Sequence, residues 1–356
     1  MKMPAINTAA LPFFRFVAAC IVIFFHFGQK VEIYPQVPAV FKAGSLMVTF
    51  FFVLSGFVLL LGYHQRALHW RQYWTRRAIK ILPLYLLALL LSAWFSGLAG
   101  HLTAADFLLN LFCLQSWLPG PLAINFASWF VSVLLFCYCL FPPILIFLQQ
   151  KRPDGRLMVA VSLLLWLITQ LVLIRLLNSG FYTGYPSWSH DLIYYFPLSH
   201  FCSFFIGICG AYYLQTSSYK VKQGGMWSLL TTLALFGAVA LLVQWQPQLV
   251  QLLGLKLPFA ASLYAPVMLL ILWHLTCASN PLLNLLSWPK FALWGEMSYG
   301  LFILQAPMDT LYKYFIPDHS LEPGIYFMLL FILLAATVFL LIVMEKAVAG
   351  RIRLTS

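Results

Sequence analysis

Charge is scarce in this sequence. Of its 356 residues 8% are charged, where a soluble domain carries about 25%. Nine are acidic. A soluble fold of this size needs far more charge to cover its surface, so a soluble enzyme or binding domain is excluded. Internal repeats, low-complexity runs and polar linkers are also missing. Nothing divides the chain, and it reads as one integral-membrane domain over residues 1–356 with no appended soluble domain. The seven cysteines are odd in number, sit almost all in apolar segments, and lack the spacing of a metal site or a disulfide framework. No metal is expected. The cysteines read as small apolar packing residues, and Cys137 and Cys139, two apart, fall on different sides of a helix.

What is abundant is apolar: 62% of residues are hydrophobic, and the mean hydropathy is +0.89. In a bilayer such residues face lipid as well as the core. A span needs about 20 mostly apolar residues, and suitable stretches fall at 9–28, 45–63, 79–98, 127–148, 157–177, 192–214, 226–246, 258–277, 293–314 and 324–345. The expected fold is therefore all-α, a polytopic transmembrane helix bundle of about ten spans. The stretch 105–118 is shorter and contains Asp106, Asn110 and Gln115, which predicts a re-entrant or interfacial segment. Val17-Ala18-Ala19-Cys20 resembles a lipoprotein cleavage site, but Arg15 interrupts the apolar run and only Lys2 precedes it as a basic residue. The segment reads as a first span that is kept.

The net charge of +12 admits nucleic-acid binding or an excess of basic residues in cytoplasmic loops. The charges fall in alternate loops, which selects the second reading, so no nucleic-acid partner is expected. With the N-terminus inside, the inner side carries Lys2, Arg66, Arg71, Arg76, Arg77, Lys80, Lys151, Arg152, Arg156, Lys220, Lys222, Lys290, Lys346, Arg351 and Arg353. The outer side carries Lys30, Lys42, Arg175, Lys256 and Lys313. This bias places both termini in the cytoplasm. The outer loops then hold Glu32, Asp106, Asp191, Asp309, Asp318 and Glu322.

Ionisable groups inside a membrane are costly and need a reason. Arg15 and His26 share a face of the first span, eleven residues and about 16 Å apart. Either they form a polar line with a fixed cation and a titratable base at two depths, or Arg15 snorkels inward and His26 outward. A second group is basic: Arg76, Arg77 and Lys80 lie at helical spacings on one helix start. Such a cluster can grip phosphates, or it can bind lipid headgroups and set topology. A third is Ser55-Gly56 within a span, where small residues allow close helix packing. A nucleophilic Ser55 has no partner nearby in sequence.

Taken in order, these pieces resemble the membrane-bound acyltransferase 3 family. Arg15 with ten residues before His26 is similar to its Arg/Lys-x10-His signature. Phe51-Phe52-Val53-Leu54-Ser55-Gly56 resembles its FFxxSG segment, and Arg77-Ala78-Ile79-Lys80-Ile81-Leu82-Pro83 its RxxR-I-x-P segment, with Lys for the second Arg. Asn110, Gln115, Trp117, Trp129, Ser132 and Pro142 follow its tryptophan-rich stretch; Phe204-Phe205-Ile206-Gly207 and the run from Gly295 to Pro307 resemble later ones. The resemblance has departures: Leu134 stands where the family pattern often has an acid, Phe130 where it has a Ser, and Gln305 where it has a late His.

The resemblance implies O-acyl transfer, usually of acetyl, from acyl-CoA to a hydroxyl of a cell-envelope carbohydrate or lipid-linked glycan, in a bacterial inner membrane. Acetyl-CoA is then the donor substrate, no cofactor stays bound, and the partners are acyl-CoA, a glycan acceptor and membrane lipids. His26 serves as general base or forms an acyl intermediate, Arg15 orients the thioester or stabilises the oxyanion, and Arg76, Arg77 and Lys80 hold the donor. Ser55, Trp129, Ser132, Glu296, Ser298, Tyr299 and Gln305 are candidates for supporting roles. The alternatives are a carrier or flippase for a glycan or small molecule, for which the paired broken helices of many transporters are not evident, and a catalytically inactive relative with Leu134 and Gln305.

Overall fold

A computed structural model describes residues 6–118, 120, 124–217, 223–316 and 321–354, without the side chains of 223 and 345–354. Lys2, Lys220, Lys222 and Asp318, and the side chains of Lys346, Arg351 and Arg353, lie outside what is described. The architecture is all-α. Its helices are α1 (Leu11–Phe27), α2 (Gly44–Tyr63), α3 (Trp70–Leu98), α4 (Ala104–Leu111), α5 (Trp129–Lys151), α6 (Gly155–Leu177), α7 (Trp188–Tyr194), α8 (Pro197–Thr216), α9 (Gly225–Gln244), α10 (Gln246–Leu253), α11 (Ala265–Cys277), α12 (Pro281–Leu286), α13 (Phe291–Phe315) and α14 (Pro323–Leu354). Among the described residues the only extended pairing is a two-residue parallel bridge, Gln223–Gly224 against Ala278–Ser279.

Each of the ten apolar stretches coincides with helix over all or part of its length. Eight helical segments are long and apolar enough to cross a membrane. The ninth, α13, has 25 residues but carries Glu296, Asp309 and Lys313. The tenth, α11, has only 13 helical residues, because Pro258, Ser262 at positive φ and Pro266 break the start of the 258–277 stretch. Backbone without helical bonds survives at membrane depth only where protein satisfies it or a cavity receives it. Here Trp166 Nε1 donates to Ser262 O at 2.9 Å and Gln170 Nε2 to Ala261 O at 3.3 Å. Asp309 corrects the loop assignment. It lies inside α13, largely buried, where it accepts from Lys313 Nζ at 2.8 Å and Tyr326 OH at 3.1 Å.

The 105–118 segment is a short helix, α4, capped by Thr103, whose hydroxyl accepts from Asp106 N. A buried polar network then ties the turn that follows to the rest of the bundle. Tyr85 OH donates to Asn110 O, Gln115 Nε2 to Ser128 O at 2.8 Å, and Ser116 Oγ to Trp129 O at 3.0 Å.

The apolar window of α2 is 72% buried, against 22% for α6, α9 and α14. The first is therefore the centre of the bundle and the others are its lipid-facing wall. α2 packs most extensively on α8, and two glycines set the distance. A Cβ on Gly56 would lie 2.1 Å from Phe204 O, and one on Gly207 would lie 2.0 Å from Val53 O. The two backbones touch, as small residues permit between helices in lipid. α1 and α13 form a second intimate pair, with Gly295 seated on Pro12. These two pairs carry Arg15, His26, Ser55 and Gln305, so the helices with the least freedom hold the polar side chains.

Candidate functional site

Two cavities open between these pairs. The first, of about 320 Å³, is basic: Arg15, Arg66, Arg76, Arg77 and Lys80 line it together with Ser55, Tyr138, Ser298 and Tyr299. Arg77 is wedged between two rings, 5.8 Å from the centre of Tyr73 and 5.5 Å from that of Tyr138, a cation–π arrangement that holds its guanidinium. Its Nε is buried without a hydrogen-bond partner among the described residues. Tyr73 is fixed by the chain itself. Pro142 has no N–H to give to Tyr138 O four residues back, and Tyr73 OH donates there instead, at 2.8 Å. Arg15 lies within electrostatic reach of Tyr138 and Glu296. Tyr299 OH donates to Ile81 O at 3.1 Å, tying α13 to α3, and Ser298 Oγ donates to Gly295 O at 2.7 Å.

The second cavity, of about 830 Å³, contains His26. His26 Nδ1 lies 3.0 Å from Gln305 Oε1. The amide of Gln305 is oriented by its other end, since Nε2 donates to Phe302 O at 2.8 Å. A carbonyl oxygen only accepts, so Nδ1 of His26 carries the hydrogen and Nε2 keeps its lone pair. That is the tautomer a general base needs. The backbone beside Gln305 is also satisfied. Pro307 leaves Ile303 O without its helical donor, and Asn125 Nδ2 supplies one at 3.1 Å. Asn125 Oδ1 accepts from Ala127 N at 3.0 Å, fixing the turn before α5. Around His26 the walls are aromatic (Phe126, Trp129, Tyr185, Tyr194, Tyr195 and Phe259), interrupted by Asn125, His190, Asp191 and Asp309.

Phe302 lines both cavities. Its ring centre is 4.9 Å from that of Phe130 and 6.3 Å from that of Phe51, and those two are 6.2 Å apart. Three phenyl rings thus form a septum between the arginine-lined space and the histidine-lined one.

The acyltransferase-domain model of the acyltransferase 3 family matches residues 9–345, nearly the whole chain. The chain belongs to the acyltransferase 3 family. No curated protein and no solved structure gives a significant match to it.

In this acyltransferase 3 chain all but two of the candidate residues divide between the two cavities. Arg15, Ser55, Arg76, Arg77, Lys80, Ser298 and Tyr299 meet at the basic cavity; His26 and Trp129 line the other, and Gln305 reaches His26 from behind. Trp129 stacks at a tilt on His200, 5.0 Å between ring centres, and on Tyr195 at 5.2 Å. Ser132 and Glu296 line neither cavity. Ser132 Oγ is buried without a hydrogen-bond partner among the described residues. The departures from the family pattern also find places. Phe130 and Leu134 make an apolar wall of the basic cavity, and Gln305 supplies the acceptor to His26.

Residues not anticipated are Arg66, Tyr138, Asn125, Phe302, His190 and Asp191. Arg66 was readable as one more inner cation. Asn125 and Phe302 owe their roles to contacts with residues far along the chain, for which the sequence carries no local signal. Membership of the family makes the protein an acyltransferase, and its helices make it a multi-pass membrane protein.

Proposed function

We propose that the protein transfers an acyl group, with acetyl as the first case to test, from cytoplasmic acyl-CoA to a hydroxyl of a cell-envelope carbohydrate or lipid-linked glycan at a bacterial inner membrane. The observation that carries this reading is the pair of cavities meeting at Phe302, basic on one side and holding an oriented His26 on the other. Arg76, Arg77 and Lys80 are suited to the donor's diphosphate, as charge-assisted hydrogen bonds to phosphate are the strong ones. The pantetheine arm runs past Arg15 and the phenyl septum and brings its thioester to His26. The acceptor's sugar ring lies against the aromatic walls, with its hydroxyls on Asn125, His190 and Asp191.

The attacking hydroxyl oxygen forms a bond to the thioester carbonyl carbon while Nε2 of His26 takes its proton. The C–S bond then breaks and the CoA thiolate leaves, to be protonated to the free thiol. The test uses membranes given labelled acetyl-CoA and a glycan acceptor. Wild type labels the glycan and His26→Ala does not. Equal labelling by both overturns the assignment of the base. Absence of both acetyl-CoA binding and transfer with every acceptor overturns the enzyme reading in favour of a carrier.

A further inference from the structure

A third cavity adjoins the basic one and has no place in the reading so far. It is a groove of about 1160 Å³ formed where the end of α2, the turn between α5 and α6, and the end of α8 come together. Arg66, Arg152 and Arg156 line it, with Asp154 as the one carboxylate among the described residues. Asp154 is already engaged in capping α6, where its Oδ1 accepts from Arg156 N at 2.7 Å. Arg66 lines both this groove and the basic cavity, so the two are neighbours that share one guanidinium-bearing side chain.

The groove is firmly built. Gln149 Nε2 donates to Tyr63 O, His64 O and Arg66 O, at 3.2, 3.0 and 3.0 Å, and so fixes the turn that carries Arg66. Arg152 sits at φ 45°, a left-handed conformation that turns the chain sharply at the end of α5. Aromatic surface is present as well. His64 meets Tyr212 edge to face at 5.3 Å, and Tyr213 lines the wall. Polar capacity is available as well, since His64 Nδ1 and Ser217 Oγ are buried atoms without hydrogen-bond partners among the described residues. Three guanidinium groups outnumber the one carboxylate, which is engaged in capping α6, and with the unused polar atoms and aromatic faces they make a receptor for an anion bearing a flat ring.

The basic cavity, at about 320 Å³, is at the small end of the range for drug-sized ligands, about 300–1,000 Å³, and cannot enclose a whole CoA. Resting on the acyl-CoA reading above, we propose that the groove of Arg66, Arg152 and Arg156 binds the 3′-phosphoadenosine end of the donor. Arg152 and Arg156 take the 3′-phosphate, the ring of His64 or Tyr213 takes the adenine, and Arg66 bridges to the diphosphate held by Arg76, Arg77 and Lys80. No bond is made or broken in the groove; it anchors the far end of the substrate while the thioester reaches past Phe302.

The test measures binding of acetyl-CoA, of adenosine 3′,5′-bisphosphate and of the nucleotide-free thioester acetyl-pantetheine to the full-length protein in nanodiscs of neutral lipid. Wild type is compared with Arg156→Gln and with Arg152→Gln/Arg156→Gln. Arg156 lies in the first turn of α6, where a cation opposes the helix dipole, so its replacement does not weaken the helix. Each substitution is expected to weaken acetyl-CoA binding about tenfold, and the double variant is expected to lose competition by adenosine 3′,5′-bisphosphate. Acetyl-pantetheine affinity stays unchanged. Wild-type acetyl-CoA affinity in both variants overturns the groove as a subsite and leaves the acyltransferase reading standing. Displacement of adenosine 3′,5′-bisphosphate by anionic lipid, with acetyl-CoA affinity unaffected, assigns the groove to headgroups and also overturns it. Absence of acetyl-CoA binding to wild type overturns both readings together.

Discussion

Replacing Gln305 with Leu removes the acceptor for His26, together with the amide's own bond to Phe302 O, and keeps the packing, because the two side chains are of similar size. The hydrogen bond that disappears is 3.0 Å long and involves a residue with no exposed surface. A buried donor deprived of its acceptor costs about 1–3 kcal/mol. His26 avoids that cost by rotating, or by moving its hydrogen to Nε2, and either change takes the lone pair out of the cavity. The reactive arrangement then becomes the disfavoured one by a similar energy. At about 1.36 kcal/mol per tenfold in rate, turnover falls by roughly 5- to 150-fold. Initial rates of acetyl transfer to a glycan acceptor in membranes measure this, beside the Kd for acetyl-CoA. Gln305 lies outside the basic cavity, so the decrease is expected in kcat with donor affinity unchanged. Gln305→Glu, which again presents an acceptor to Nδ1, retains more of the rate than Gln305→Leu. A folded Gln305→Leu protein working at the wild-type rate would refute the tautomer reasoning.

Four further outcomes follow from the same structure. Gly207→Ala forces a methyl against Val53 O, and overpacking of this kind costs about 1–3 kcal/mol; the melting temperature of the detergent-purified protein should drop, and an unchanged value would mean that α2 and α8 separate freely. Asn125→Leu strands Ile303 O beneath Pro307, for a destabilisation of about 1–3 kcal/mol on the same melting measurement. Phe302→Ala opens the septum, so acetyl-CoA hydrolysis without acceptor should rise relative to transfer; a ratio equal to wild type would remove Phe302 from the barrier. The pKa of His64, at the end of α2, is lowered, first by burial and then by the charge of Arg152. Below the ordinary histidine value the unfolded chain therefore takes up the proton before the folded one does, and stability falls as pH falls through that window. His64→Gln should flatten the acid side of a melting-temperature profile, and an unaltered slope would assign the decline to other groups.

Most of the fold was open to reading from composition and hydropathy. The ten apolar stretches lie on helices because bilayer thickness dictates their length. The reading failed where a few residues outweigh the average. Pro258, Ser262 and Pro266 unwound half of the stretch ending in α11, and Asp309 entered α13 because Lys313 and Tyr326 compensate it. At the candidate site, the residues with costly chemistry inside a membrane, Arg15 and His26, announced themselves. Their partners did not. Gln305 is 279 positions from His26, and Tyr73, Asn125 and Phe302 matter through bonds and rings that a linear pattern cannot display. Gly56 and Gly207 were visible as small residues within spans, but which helix each would touch was not.

The close approach of α2 and α8 at those two glycines also divides the chain by how freely its sequence can drift. On α6, α9 and α14, where lipid is the neighbour, one apolar side chain can stand in for another, and substitutions there carry little information about the fold. At Gly56 and Gly207 the alphabet shrinks to a single letter, because the opposing surface is a carbonyl that no rotamer change can move aside. A library of variants of this protein would therefore be permissive around its rim and intolerant along one line through its centre.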